Sequence, residues 1–127
     1  SEMCIRDRDK PGLATPTQCL KACMRLTPDR IFMTELRDDA AWDYLQALNT
    51  GHPGGLTSTH ANSAMDAFTR IGLMVKATEV GRMLDISDIM RLLHSTIDVV
   101  VFMAKRKIRE IYYSPEYKYE CMNGGIK

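Results

Sequence analysis

A stretch rich in glycine and proline, residues 49–63, constrains this chain more than any other part of it. It reads Asn-Thr-Gly-His-Pro-Gly-Gly-Leu-Thr-Ser-Thr-His-Ala-Asn-Ser. Three glycines and a proline between positions 51 and 55 exclude a continuous helix or strand there. The same stretch carries imidazole, hydroxyl and amide groups, all of which can contact an anion or a water molecule. It therefore predicts a loop that binds a polar ligand.

The residues after these glycines lead back into regular structure. Leu56 to His60 can extend as a short strand that carries His60 to the strand end. Ser63-x-x-Asp66 then matches the start of a capped helix. Backbone N–H groups at such a start can face an anion.

Helical periodicity predicts three further helix starts, one at Thr15-Pro16, one at Asp38-Asp39 and one at Asp85 or Ser87. The residues expected to face inward on the four helices, in chain order, are Cys19, Leu20, Cys23 and Met24; Trp42, Leu45 and Leu48; Ala67, Phe68, Ile71, Met74 and Val75; and Ile86, Ile89, Met90, Leu93 and Ile97. Since Cys19 and Cys23 lie on an apolar face, core packing is the stronger interpretation for them. The alternative is a metal site with His52 and His60.

Three short apolar runs predict strands. The first is Ile31–Met33, and the other two, Asp98–Met103 and Lys107–Tyr113, are rich in β-branched and aromatic residues. Lys105-Arg106 can form the turn of a hairpin between the last two. Alternating helices and short strands predict an α/β fold.

Composition limits the classes of function. The chain has 127 residues, of which 45% are hydrophobic, and this suits one globular domain. A net charge of +1 gives no field that would favour nucleic acid, and the basic cluster at residues 105–109 is better explained as a solvated turn. The longest apolar run, Val99–Ala104, is too short to cross a membrane. The four cysteines have no zinc-site or thioredoxin spacing and predict reduced thiols in a cytosolic protein.

Two segments together resemble a known family. Residues 47–54 and 58–63 resemble the histidine box of the secretion ATPase superfamily, and Pro28–Arg37 resembles its Walker B segment. The closest likeness is to the traffic ATPase of bacterial type IV secretion systems, and it runs from about Thr15 to Tyr113. It implies the C-terminal half of a RecA-like P-loop ATPase domain, with helices packed on a short-stranded sheet.

The resemblance also implies ATP and Mg²⁺ as ligands and roles for individual residues. Glu35 would orient or deprotonate the attacking water, directly or through water bound to Mg²⁺. His60 would sense the γ-phosphate with His52 as its partner, and Arg37 and Arg70 would face phosphates. Each role has a simpler alternative. Glu35 can be explained as a solvated or helix-capping carboxylate, and His52 and His60 as hydrogen-bonded loop histidines. Arg37 can be explained by a pair with Glu35 along an extended strand, and Arg70 by a pair with Asp66 on a helix.

The expected domain organisation has three parts. Residues 1–14 would be disordered or foreign to the gene, residues 15–113 would form the partial RecA-like domain, and residues 114–127 would be a mobile tail. The chain contains no Gly-x-x-x-x-Gly-Lys-[Ser/Thr] loop to cradle phosphates. We therefore expect a fragment that does not hydrolyse ATP by itself.

In the complete protein the resemblance implies a homo-hexamer with other type IV secretion components. The hexamer would lie in the cytoplasm at the inner membrane, with no transmembrane segment and no direct contact to nucleic acid. Two alternatives remain. One is the ATPase of type IV pili or type II secretion, and the other is a non-catalytic remnant that binds a partner. The family usually has glycine where this chain has Thr34. A side chain at this position could crowd the nucleotide edge, and this departure keeps the remnant as an alternative.

Overall fold

The computed structural model describes residues 15–37, 40–50 and 54–123. In chain order these form α1 (Pro16–Arg25), α2 (Ala40–Asn49), α3 (Ala64–Lys76), α4 (Glu79–Arg82), α5 (Ile86–Thr96), β1 (Val99–Ala104), β2 (Lys107–Tyr113) and α6 (Pro115–Met122). The chain divides into two compact units, residues 1–59 and 60–127. None of the helices in the described ranges is long and apolar enough to cross a membrane.

Helix α1 opens the first unit where the sequence predicts it. The Thr15 hydroxyl accepts a bond from the Gln18 amide N–H at 3.1 Å, and the Gln18 side chain accepts one from the Thr15 N–H at 2.9 Å. This reciprocal capping box satisfies two N–H groups that an isolated helix start would leave without partners. Cys19 and Leu20 are buried, and Cys23 is half-buried, so the apolar stripe packs inward as expected.

Helix α2 also buries an apolar face, although a different one from that predicted. Of the three residues expected inward, Leu45 is buried, and Trp42 and Leu48 are half-buried. The buried residues are Ala40, Ala41, Tyr44, Leu45 and Ala47. The predicted caps, Asp38 and Asp39, lie outside the described residues.

The second unit is built on α3 and α5. Helix α3 buries Ala64, Ala67, Phe68, Ile71, Gly72 and Val75, and α5 buries Ile89 and Leu93 with no exposed surface. Burying one such large apolar side chain contributes roughly 1.5–3 kcal/mol. Ile86, predicted to point inward, is 46% exposed. It is the first residue of α5, and its Cδ1 still reaches Gly72 of α3, where a Cβ would lie 3.9 Å from it.

β1 and β2 form the predicted hairpin. Val99 pairs with Tyr113 and Val101 with Ile111, and a bulge follows Phe102. The turn residues Lys105 and Arg106 have φ of 52° and 62°. Two successive positive φ values are what a tight two-residue hairpin turn with the twist of its strands requires.

The two faces of the hairpin differ in their environment. One face packs on α3 and carries Tyr112. The other face is apolar and exposed, and consists of Val99, Val101, Met103, Ile108, Ile111 and Tyr113. Apolar residues on both faces are typical of strands that are covered on both sides.

Helix α6 corrects one expectation. We predicted a mobile tail from residue 114 onwards, but residues 115–122 form a helix that begins with Pro115 at its first turn. Its Tyr117 ring lies edge-on against His94 of α5, and its Lys118 pairs with Asp98. Cys121 is its one buried residue. Sequence periodicity missed the helix because so little of it is apolar and buried.

Candidate functional site

Two extended segments of the first unit, residues 31–37 and 54–59, lie side by side. Phe32 and Leu56 form an isolated parallel bridge. The Met33 N–H donates to the Leu56 carbonyl at 3.0 Å, and the Leu36 N–H donates to the Ser58 carbonyl at 2.7 Å. Parallel pairing brings the ends of both segments to the same edge. The Walker B-like segment and the segment leading to His60 are therefore joined directly.

The predicted strand at Ile31–Met33 is present only as part of this pair. Ile31 and Met33 are buried, and Phe32 between them is 55% exposed, the alternation of an extended chain. Leu56 is 67% exposed on the partner segment. Among residues 31–37 and 54–59, regular strand pairing is limited to this single bridge.

Thr34 takes part in the same junction. Its carbonyl accepts a bond from the Ser58 hydroxyl at 2.7 Å. Its side chain is exposed, and its φ is not positive. Among the described residues other than glycine, those with positive φ are Thr27, Lys105 and Arg106. Thr34 is thus accommodated without the positive φ that favours glycine.

Glu35 and Arg37 form an ion pair at the end of the first segment. Glu35 Oε2 lies 2.8 Å from Arg37 Nη2, and the side chains are 25% and 45% exposed. The spacing of two residues along an extended chain predicts this shared side. A pair this exposed contributes at most about 1 kcal/mol to stability. Both groups remain accessible to solvent, where a carboxylate can bind a water and a guanidinium can bind a phosphate.

The other predicted site residues lie elsewhere or outside the description. His60 is exposed and begins the second unit. His52 lies outside the described residues. Arg70 Nε donates to Asp66 Oδ2 at 3.0 Å, which is the helix-surface pair that the sequence offers as an alternative. The structure brings Glu35 and Arg37 together, and it places Arg70 beside a carboxylate.

The start of α3 differs from the expected anion site. The Asp66 N–H donates to the Ser63 hydroxyl at 2.9 Å, and the Asn62 N–H donates to the Asp66 carboxylate at 2.8 Å. The Ala64 N–H donates to Glu110 Oε2 at 3.0 Å. The hydrogen bond from Asn62, and then that from Arg70, hold the pKa of Asp66 below its usual value. This chain's own oxygens thus occupy N–H groups that we expected to face an anion.

Metal binding by this chain alone has little support within residues 15–37, 40–50 and 54–123. They contain no group of three or more His, Cys, Asp or Glu side chains that could hold a metal ion. Cys19 and Cys23 form no disulfide, and they are buried and half-buried respectively, as expected for core residues. A magnesium site here would need ligands from a nucleotide and water.

Sequence reasoning missed the residue that ties the two extended segments together. Tyr44 of α2 is 2% exposed, and its hydroxyl lies 2.8 Å from the Ile31 carbonyl and 3.2 Å from the Leu56 carbonyl. Its place next to Leu45 on the apolar side of α2 could have indicated burial. The sequence gives no signal for the hydroxyl's partners, because both are backbone carbonyls.

Comparison with known proteins decides the family. The family model described as "Type II/IV secretion system protein" matches residues 6–119. The chain belongs to this family. The likeness to type IV secretion ATPases inferred from the histidine box and the Walker B-like segment is thereby confirmed.

Similar proteins come from type IV secretion systems. VirB11 of Bartonella quintana is 42% identical over 95% of this chain and 35% of its own length. VirB11 of Brucella suis is 38% identical over 82% of this chain and 31% of its own length. The protein VirB11 of Agrobacterium fabrum is 36% identical over 79% of this chain and 29% of its own length. This secretion-family chain thus spans about one third of the length of the curated relatives it matches.

A solved structure confirms the fold. The crystal structure of the VirB11 ATPase from the Brucella suis type IV secretion system, in complex with sulphate, superposes with a TM-score of 0.82 at 36% identity. It covers 87% of this chain, which in turn covers 35% of the crystallised chain. The predicted α/β fold, as part of an ATPase domain, is therefore confirmed.

Proposed function

We propose that this chain is part of an ATPase that powers a bacterial type IV secretion system, through substrate export or pilus assembly. The observation that carries the proposal is the parallel pairing of residues 31–37 with residues 54–59. In this pairing Glu35 lies near the end of one segment, beside a segment that overlaps the histidine box and leads to His60. The likeness to VirB11 proteins supports the same reading.

In this proposal Glu35 acts on the attacking water. Hydrolysis of ATP needs an oriented water and positive charge near the transferred phosphoryl group. The Glu35 carboxylate accepts a hydrogen bond or a proton from the water. Arg37, 2.8 Å away, holds the carboxylate and can turn its remaining N–H groups to a phosphate oxygen.

Magnesium fits this site only together with a nucleotide. Mg²⁺ in phosphoryl-transfer sites is usually bound by phosphates, waters and one or two carboxylates. Glu35 offers one such carboxylate, and it would hold the ion through water. When bound, Mg²⁺ neutralises charge on the phosphates.

The remaining roles rest on the histidine box. His60 would donate a hydrogen bond to the γ-phosphate, and His52 would assist it from the same loop. Arg70 would face a phosphate only after leaving Asp66, to which it is bonded here. Of the two predicted arginines, Arg37 is therefore the better candidate for binding nucleotide.

The resemblance to secretion ATPases supports a proposal for the assembly. We propose a homo-hexamer that lies in the cytoplasm, peripheral to the bacterial inner membrane, in contact with other type IV secretion components. The present chain alone would not hydrolyse ATP, because it contains no phosphate-cradling loop sequence. ATPase of type IV pili or type II secretion is the alternative within the family. A non-catalytic remnant is the alternative outside enzymes.

The test is ATP hydrolysis by the complete protein encoded by the reading frame that contains this chain. We expect Mg²⁺-dependent hydrolysis, and Glu35→Gln should lower kcat by about 10²–10⁴-fold. Glu79→Gln, an exposed glutamate in the second unit, is the control and should leave kcat unchanged. Absence of hydrolysis by the unsubstituted hexamer, or full activity of Glu35→Gln, would reject the proposed mechanism.

A further inference from the structure

The hydroxyl of Tyr44 is placed between the two segments that carry the candidate site. It lies 2.8 Å from the carbonyl of Ile31 and 3.2 Å from that of Leu56. A phenol has one proton to donate, so the two carbonyls share it, with the shorter bond to Ile31. A single side chain thus contacts both members of the parallel pair.

This contact adds a fourth hydrogen-bonded connection between the two segments. The backbone supplies two bonds, from Met33 to Leu56 and from Leu36 to Ser58, and the Ser58 hydroxyl supplies a third, to the Thr34 carbonyl. The Leu56 carbonyl accepts from both the Met33 N–H and the Tyr44 hydroxyl. Register between the segments therefore depends on few bonds, and Tyr44 makes one of them from a buried position.

Gly55 makes room for the hydroxyl. A Cβ atom at this position would lie 2.3 Å from the Tyr44 hydroxyl oxygen and 2.9 Å from the Ile31 carbonyl oxygen. Both distances are shorter than non-bonded atoms tolerate. The absence of a side chain at Gly55 is thus the condition for the Tyr44 bridge.

We propose that Tyr44 is a positioning residue, whose hydroxyl sets the register of residues 31–35 against residues 55–58 and so fixes Glu35 relative to Ser58 of the histidine box. The kinetic part of this proposal rests on the proposed ATPase function, whereas the register part does not. Burial raises the pKa of Tyr44 to about 12, so the hydroxyl remains a donor throughout the physiological range.

The register part is tested by Tyr44→Phe in the 127-residue chain. This change removes the hydroxyl and keeps the buried ring. We expect amide hydrogen exchange at Met33 and Leu36 to accelerate at least about tenfold, with exchange at the Cys19 amide of α1 unchanged. Tyr119→Phe is the control, because Tyr119 is 68% exposed, and it should alter none of the three.

Gly55→Ala disturbs the same junction by a second route. Its methyl group would displace the Tyr44 hydroxyl, and it would also meet Leu48 Cδ2 at 2.5 Å and the Ile31 carbonyl oxygen at 2.9 Å, so it should accelerate the same two amides. In the Tyr44→Phe background, Gly55→Ala should therefore still accelerate them. Equal acceleration at Met33, Leu36 and Cys19 in either single variant would mean general destabilisation, and it would overturn the proposal.

The kinetic part is tested in the complete ATPase. Tyr44→Phe should lower kcat about tenfold while KM for ATP stays within about twofold, because the hydroxyl acts through Glu35 and not on the nucleotide. Leu45→Val, a neighbouring core change on α2, is the stability-matched control and should leave kcat per folded hexamer unchanged. In a Glu35→Gln background, Tyr44→Phe should have no further effect on kcat.

Different results would contradict the register part and the kinetic part of the proposal. If the unsubstituted complete protein does not hydrolyse ATP, the proposed function fails and hydrogen exchange still decides the register. If hydrolysis occurs but Tyr44→Phe lowers kcat equally with and without Glu35, Tyr44 does not act through Glu35. An unchanged kcat in Tyr44→Phe overturns the positioning role as well.

Discussion

The imidazole of His94 stacks on the ring of Phe68, with ring centroids 4.1 Å apart and ring planes within 15°. His94 is 7% exposed, and its Nδ1 lies 3.3 Å from the Tyr112 hydroxyl. Tyr117 closes the cluster edge-on at 5.0 Å. Phenol hydroxyls are neutral at acid pH, so Tyr112 and Tyr117 offer no negative charge to an imidazolium. The second unit is thus built around a neutral histidine.

Acid should therefore destabilise the second unit. Desolvation lowers the pKa of His94 in the folded chain. Below the ordinary histidine pKa of about 6.5, the unfolded chain therefore binds a proton at this position more readily than the folded chain does. Stability should be constant above this pH and fall as pH drops through and below it. Urea unfolding between pH 8 and pH 5 measures the effect.

Two histidine variants test whether His94 causes this pH dependence of stability. His94→Phe keeps a ring against Phe68 but cannot titrate, and it should flatten the pH dependence. His60→Gln changes an exposed histidine and should retain the slope of the unsubstituted chain. The same slope in His94→Phe as in the unsubstituted chain would contradict the assignment.

Glu110 should stabilise α3 from the hairpin. Its carboxylate accepts the hydrogen bond from the Ala64 N–H at 3.0 Å, across an interface between β2 and the start of α3. Glu110→Ala leaves the N–H of the buried Ala64 without its partner. It should lower the free energy of unfolding by about 0.5–2 kcal/mol, as loss of an N-cap does. Thermal or urea unfolding measures it. Arg109→Ala changes the exposed neighbour on β2 and should alter the free energy of unfolding by no more than about 0.5 kcal/mol.

Two glycines of the second unit make a matched pair for a packing test. A Cβ at Gly81 would lie 1.7 Å from the Val75 carbonyl oxygen, whereas one at Gly72 would meet the Met90 sulfur at 2.8 Å. Backbone cannot move aside as a methionine can, so Gly81→Ala should destabilise by about 1–3 kcal/mol or more. Gly72→Ala should be close to neutral, because alanine favours a helix by about 1 kcal/mol over glycine. Equal losses in both variants would contradict this reading.

Local signals predicted much of the fold. Thr15 and Pro16 mark the start of α1, and Lys105 and Arg106 lie between two β-branched runs that form a hairpin. These features are set by neighbours in sequence, so sequence reveals them. Helix α6 was missed because Cys121 is the one residue it buries, which leaves no apolar period to detect.

The site was predictable in its side chains and not in its framework. Glu35 and Arg37 share a side as their spacing predicts. Tyr44 and Glu110 were missed because their partners are backbone groups distant in sequence, a carbonyl at Ile31 or Leu56 and an N–H at Ala64. Such bonds depend on which segments come together in the folded chain, and the residue types alone do not indicate this.

The close approach between Tyr44 and Gly55 makes the two positions an evolutionary unit. A side chain at position 55 would occupy the space of the hydroxyl, so a relative that gains alanine there should have exchanged tyrosine for a shorter residue at 44. Loss of the tyrosine before any change at position 55 is permitted, since glycine at position 55 does not depend on the hydroxyl. Drift at these two sites should therefore run in one direction, with the tyrosine lost first.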